Sequence, residues 1–210
     1  MIKKDNQFPF LISGKIGNLV GRVINGKQYF SKPPVRRKRN PTDAELGIRR
    51  KFAIAIRFLK PIVPILRKYD ELTGKKGYNK ATSHIIRQAI QGEYPNYRID
   101  YDRVVLGEGS LPNPRTFQVE SPAKGLLEFT WSMELVKRGV SKSDRIFTVA
   151  YCEARHEFQY QPSGAERRDR KFLMDVSCFS GKQVHVWFGF ASPNGALVST
   201  SVYTGSITVL

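Results

Sequence analysis

Apolar and polar positions follow two different rhythms along this chain, and the change falls near Tyr97. In the first part Ile48, Phe52, Ala55, Ile56 and Leu59 recur at helical spacing, and Ile54 with Phe58 widens their stripe. This predicts a helix from Asp43 to about Lys60 whose broad apolar arc needs cover from a second layer or from a neighbouring subunit. Thr42 stands at the N-cap position with Glu45 three residues on, the spacing of a capping box. Pro61 and Pro64 then stop or kink the helix, leaving a short helical piece to Tyr69. Asn79 to Gln91 reads as a further helix closed by Gly92, with Ile85, Ile86, Ala89 and Ile90 as its core face. Upstream, Ile16–Val23 and Lys27–Ser31 flank Asn25-Gly26, the pair that most favours a two-residue hairpin turn because both residues accept positive φ.

From Tyr97 the period shortens to that of strands. Tyr97–Tyr101 and Arg103–Leu106 precede a Gly/Pro-rich connector, Gly107–Pro114. Five runs follow, at Phe117–Glu120, Leu126–Trp131, Arg145–Cys152, Lys171–Cys178 and Gln183–Ala191. A pair at Leu197–Tyr203 and Ser206–Val209, turning at Gly205, closes the series. Short strands at this spacing predict an antiparallel sandwich of about 95 residues. The expected class is α+β. A β-hairpin, a basic arm and helices occupy residues 1–112, and an antiparallel immunoglobulin-like β-sandwich occupies residues 113–210.

Charge sharpens this division. The chain of 210 residues carries a net charge of +17. Residues 1–100 hold 22 Lys/Arg against 7 Asp/Glu, whereas residues 101–210 hold 13 against 11. So segregated an excess points to nucleic acid, an anionic surface or an acidic protein partner. Its densest stretch is Arg36, Arg37, Lys38 and Arg39, set between Pro33-Pro34 and Pro41, where prolines hold the backbone extended. The candidate contacts to a polyanion or partner are Lys32, Arg36, Arg37, Lys38 and Arg39 in the arm. Arg49, Arg50, Lys51 and Arg57 follow on the helix, and Lys75 and Lys76 lie in a later loop. Aromatics interleave with these cations: Tyr29 and Phe30 before the arm, Tyr69 and Tyr78 around Lys75-Lys76, and Tyr94, Tyr97 and Tyr101 around Arg98. Binders of single-stranded nucleic acid combine such platforms with a basic groove. No helix-turn-helix, KH or RNP pattern supports base-specific readout.

Other chemistry is sparse. Gly21 to Lys27 has the glycine and lysine spacing of a phosphate-binding loop, but Gln28 stands where a magnesium-binding hydroxyl belongs, and a strand follows instead of a helix. His84, His156 and His185 are scattered and not at metal-ligand spacing with the cysteines. Glu153, His156 and Glu157 fall at a strand end, and Asp100 and Asp102 share one side of a strand with Tyr101 opposite. Cys152 and Cys178 read as two small buried thiols rather than a disulfide. No convergent catalytic constellation is present, so the expectation is a protein that is not an enzyme, without cofactor or metal. No run of about 18 apolar residues suggests a membrane span. Residues 1–19 lack an uninterrupted apolar core of a signal peptide, so a cytoplasmic location is expected, free or within a particle assembled there.

Four blocks carry a resemblance. They are Ser13-Gly-Lys-Ile-Gly-Asn-Leu-Val-Gly21, Asn40-Pro-Thr42 with Arg50-Lys-Phe52, Leu106-Gly-Glu-Gly-Ser-Leu-Pro112, and Ser199-Thr-Ser-Val-Tyr-Thr-Gly-Ser-Ile-Thr-Val209. Together they resemble a Bacteroidota family of about this length whose function is uncharacterised, so the resemblance transfers no catalytic or ligand residue. The Asn-Pro-Thr block also resembles, more distantly, one in phage-type structural proteins. The chain departs from the family in having Val23-Ile24 where a tryptophan stands, and in its basic arm. The function these readings imply is a non-enzymatic structural or assembly protein, part of an oligomer or larger assembly, whose basic half docks on a neighbouring subunit or polyanion. The alternative is a nucleic-acid-binding protein making sequence-independent backbone contacts.

Overall fold

The computed structural model describes residues 11–34, 40–64, 66, 77–133 and 140–210. The chain divides into two compact units, residues 1–41 and residues 42–210. The first unit holds a three-stranded antiparallel meander, β1 (Gly14–Ile16), β2 (Leu19–Ile24) and β3 (Lys27–Ser31). The Asn25-Gly26 turn forms where its sequence predicts, with φ of 50° and 75°, and pairs Ile24 with Lys27. Gln28, the residue that spoils the phosphate-loop pattern, works as a strand mimic. Its Nε2 donates to the carbonyl of Ile12 and its Oε1 accepts from the Ile12 N–H, both at 2.8 Å.

The second unit opens with α1 (Asp43–Leu59), capped as its sequence dictates. Glu45 N–H donates to Thr42 Oγ1 at 3.3 Å, and Thr42 N–H donates to a Glu45 carboxylate oxygen at 3.0 Å. A 3₁₀ turn at Lys60–Ile62 carries Pro61. Helix α2 spans Gly77–His84 and widens into a π-type turn over Ile85–Ala89. The helix expected to continue to Gln91 instead gives way to β4 (Ile90–Gln91), which pairs with β5 (Arg98–Ile99). Gly92, at φ 95°, reverses the chain between them. The strand expected at Tyr97–Tyr101 shrinks accordingly, and Tyr101–Arg103 is a 3₁₀ turn. Asp100 and Asp102 therefore do not line one strand face. Asp100 accepts from Gln91 and pairs with Arg103 at 3.2 Å.

Seven strands follow: β6 (Phe117–Glu120), β7 (Leu126–Trp131), β8 (Arg145–Cys152), β9 (Glu157–Gln161), β10 (Lys171–Asp175), β11 (Gln183–Ala191) and β12 (Val202–Thr208). They make two antiparallel sheets, in the orders β10-β7-β6 and β12-β11-β8-β9. One core lies between the sheets. Leu127, Phe129 and Trp131 of β7 face Ile146, Ala150 and Cys152 of β8 and Val184, Val186, Phe188 and Phe190 of β11. Alternation sends Val149, Tyr151 and Trp187 to the opposite face of the four-stranded sheet, where they join Ala55, Phe58 and Leu59 of α1 and Ala81, Ile85 and Ala89 beyond it. The central strands β8 and β11 are thus covered on both faces, the situation that produces long apolar runs in sequence. Helices and strands share that second core, and the divide between compact units falls at residue 41.

Four further strand readings change, the first being Arg103–Leu106, which forms no strand. Glu157–Gln161 forms an edge strand that polar residues had concealed. Lys171–Cys178 stops at Asp175, where a 3₁₀ turn at Ser177–Phe179 begins. The closing pair is one strand, β12, in which Thr204 is the extra residue of a bulge, because Gly205 pairs with Val186 and Tyr203 with Trp187.

Candidate partner-docking surface

The register of the N-terminal sheet sorts its side chains by chemistry. Ile16, Leu19, Gly21, Val23, Gln28 and Phe30 share one face through the pairings Ile16–Leu19, Gly21–Phe30 and Val23–Gln28. Lys15, Val20, Arg22, Ile24, Lys27, Tyr29 and Ser31 share the other. The first face carries no charge, and Ile16, Leu19, Val23 and Phe30 on it are 36–47% exposed. The second carries three cations. At the centre of the uncharged face the backbone of Ile12 passes so close that a Cβ on Gly21 would lie 2.7 Å from the Ile12 carbonyl. A glycine is required there by close approach.

Helix α1 is similarly divided. Ala55, Phe58 and Leu59 are buried, whereas Ile48 is 69% and Phe52 53% exposed. Part of the broad apolar arc read from the sequence therefore remains open. Of the cations assigned to partner contact, Arg49 and Arg50 are exposed and have no salt bridge among the described residues. Lys32 is exposed directly after β3. Lys51 and Arg57 have internal partners. Lys51 Nζ lies 4.9 Å over the Tyr97 ring, and Arg57 Nη2 donates to His156 Nε2 at 3.2 Å. Arg36, Arg37, Lys38, Arg39, Lys75, Lys76 and Tyr69 lie outside the described residues. The apolar face of the sheet was not among the candidates read from sequence, because its four residues come from three strands and meet only once two turns set the register.

Aromatic and titratable side chains gather where α1 meets the four-stranded sheet. Phe58 packs edge-on against Tyr151, Phe158 and Trp187, with centroids 5.0, 5.2 and 6.5 Å away. With His156 Nε2 accepting from Arg57, its Nδ1–H faces the Tyr151 hydroxyl at 3.2 Å, so these two contacts tie α1 to the β8–β9 turn. His185 stacks on Tyr101 at 3.8 Å, and its Nδ1 is 2.8 Å from the Tyr203 hydroxyl. Burial lifts the Tyr101 phenol far above its usual range, with Tyr151 and Glu153 adding to the shift. Burial lowers the pKa of His185, and the nearby Glu153 carboxylate opposes this only in part. The cluster is a packing junction for the helical layer, since its rings fill space between elements.

A pH dependence follows. Burial disfavours the charged form of His185 in the fold, while in the unfolded chain it titrates near the usual value of about 6.5. Its contribution to stability is present above that value and is lost as the pH falls through the lower folded value. A His185→Gln variant should lose less thermal stability than the parent between pH 7.5 and 5. Parallel melting curves for the two proteins across that range would remove His185 as the acid-sensitive group.

Both cysteines are free, Cys152 buried and Cys178 exposed. The expectation of two buried thiols holds for Cys152 alone, because strand alternation ends at Asp175 and the following turn brings Cys178 to the surface. Among the described residues, no group of three or more His, Cys, Asp or Glu side chains is placed to hold a metal ion. No helix among them is long and apolar enough to cross a membrane.

Two sequence blocks, Leu106–Pro112 and Ser199–Val209, prove to be neighbours in space. Leu111 N–H donates to the Val198 carbonyl at 2.9 Å, Ser201 N–H to the Gly107 carbonyl at 2.8 Å, and Leu106 N–H to Ser201 Oγ at 2.9 Å. Gly109 lies so close to Val198 that a Cβ there would collide with its carbonyl. These blocks form a structural seam joining the connector to the end of the sandwich. A search of curated proteins gives no match. Residues 11–205 match the model described as Family of unknown function (DUF6266), and the chain belongs to that family.

Proposed function

We propose that this chain is a non-enzymatic structural or assembly protein. Its basic N-terminal half docks on a neighbouring subunit or another polyanionic partner. The observation that carries the reading is the N-terminal sheet, whose uncharged face leaves Ile16, Leu19, Val23 and Phe30 exposed while Lys15, Arg22 and Lys27 line its back. Exposed apolar surface of this kind marks a protein contact, and a small sheet gains stability by covering its apolar face. We read strands β6 to β12 as an immunoglobulin-like sandwich in which they fill, in chain order, the places A, B, C, C′, E, F and G, a scaffold used for contact by its edges and loops. Assembly in the cytoplasm within a phage-type particle, in a Bacteroidota host, fits this reading. A second reading is sequence-independent nucleic-acid binding on the cationic face, where Tyr29, 46% exposed, sits among Lys15, Arg22 and Lys27.

Size-exclusion chromatography with light scattering, before and after nuclease treatment, separates the two. An oligomer that resists nuclease supports assembly, and a monomer that sheds bound nucleic acid supports the second reading. Replacing Arg36, Arg37, Lys38 and Arg39 with Ala should weaken binding to a polyanion and leave the melt unchanged. For duplex DNA the slope of log affinity against log salt should shrink by roughly 3 to 4. Unchanged affinity and slope would remove the arm from the function.

A further inference from the structure

An open groove of about 300 Å³ runs between α1 and α2. Its walls are Phe52 and Ile56 on one side and Tyr78, Thr82 and Ile86 on the other, with Arg87 at its lip. Arg49 on α1 lies three residues before Phe52, and Lys60, at the C-cap of the helix, four after Ile56, so both stand beside the groove wall. Both are exposed. The Thr82 hydroxyl is already used, donating to the Tyr78 carbonyl at 2.8 Å. Among the described residues no carboxylate lines the groove. Glu45, on the same side of α1, is turned to the Thr42 N–H in the capping box.

We propose that this groove receives an acidic amphipathic helical segment of a partner protein, an inference that rests on the docking role above and names the chemistry of the partner. The apolar walls take side chains spaced i, i+4 and i+7, the usual manner of helix-in-groove recognition. Arg49, Lys60 and Arg87 take the flanking carboxylates. A second copy of the chain is a poor occupant, because at a net charge of +17 two like-charged rims would be brought together. Nucleic acid is a poorer occupant, since beside the rings of Phe52 and Tyr78 the wall is completed by Ile56 and Ile86, which offer a base neither a ring nor a hydrogen bond.

The test uses the full chain, treated with nuclease, and a labelled synthetic helical peptide of about 14 residues, or four turns. The peptide has Leu and Phe at i, i+3, i+4 and i+7 and Glu elsewhere; fluorescence anisotropy reads binding. Saturable binding is expected. Phe52→Ser, at an exposed position, should weaken it at least about tenfold while the melt is kept. Arg49→Glu with Arg87→Glu should weaken it and flatten its salt dependence. A matching peptide with Lys in place of Glu should not bind. Failure of the acidic peptide to bind, equal affinity for the parent and Phe52→Ser, or equally tight binding of polyglutamate would overturn the groove site. Self-association that Phe52→Ser abolishes would assign the groove to a second copy and overturn the proposal likewise. Any of these results beside a nuclease-resistant oligomer would leave the docking role standing without the groove; a monomer in light scattering that also binds no polyanion would remove the role itself.

Discussion

Phe58→Ala should lower the stability of residues 42–210 by about 3–5 kcal/mol, and it should do so within a single unfolding transition. Phe58 is 3% exposed and touches aromatic residues of β8, β9 and β11 from its place on α1. Its loss opens a cavity that the rigid sheet beneath cannot close. For a chain of this size the melting temperature should fall by roughly 2–4 °C per kcal/mol. Urea titrations followed by tryptophan fluorescence and by far-ultraviolet circular dichroism make the check. Trp131 reports on the core between the sheets and Trp187 on the core beneath the helices. Coincident curves are expected, and separated ones would mean that the helical layer and the sandwich fold independently.

The second large effect concerns an ion pair sealed at the opposite end of the sandwich. Arg167 and Asp144 are 2% and 1% exposed, with Nε 3.3 Å from Oδ2. The guanidinium also donates from Nη2 to the Pro112 carbonyl at 2.9 Å and lies 4.0 Å over the Phe190 ring. Burial pulls the Arg167 pKa down while Asp144 opposes that shift, and guanidinium nevertheless stays charged in proteins. Asp144→Ala therefore strands a buried cation and should cost about 3–5 kcal/mol. Adding Arg167→Met removes the stranded charge and should restore a large part of the loss. Denaturant titrations of the single and double variants decide it. A double variant no more stable than Asp144→Ala would mean that the carboxylate acts through its own backbone turn, where it accepts from Ser141 N–H at 2.9 Å.

Residues whose signals are local were legible from the sequence. The Thr42–Glu45 cap, the Asn25-Gly26 turn and the apolar runs of β8 and β11 each depend on a few adjacent positions, and each forms where it was read. β9 was not legible: on an edge its Glu, Gln and Tyr residues meet water, and the alternation carries little apolar contrast. Tyr101 reads as a strand residue, yet stacking on His185 places it in a 3₁₀ turn. Cys178 continues an alternation that the backbone abandons at Asp175. On the candidate docking surface, the sequence offered the cations but not their engagements. Arg57 is held by His156, a partner 99 residues away, and nothing near Arg57 announces it. The open wall at Phe52 and Ile56 was legible only as an excess of apolar positions on one helix, because the width of an arc says that cover is needed and not who provides it.

The seam between Leu106–Leu111 and Val198–Ser201 has a consequence for synthesis on the ribosome. Its hydrogen bonds join residues 87 to 95 positions apart, and β11 and β12, which complete both sheet faces, come last. While translation proceeds at roughly 5–20 residues per second, α1 waits several seconds for the strand that carries Trp187 to emerge. During that interval Phe58, Leu59 and Ile62 have no sheet to cover them. Folding of residues 42–210 thus waits on β11 and β12, and until they pair the apolar side of the nascent helix stays uncovered.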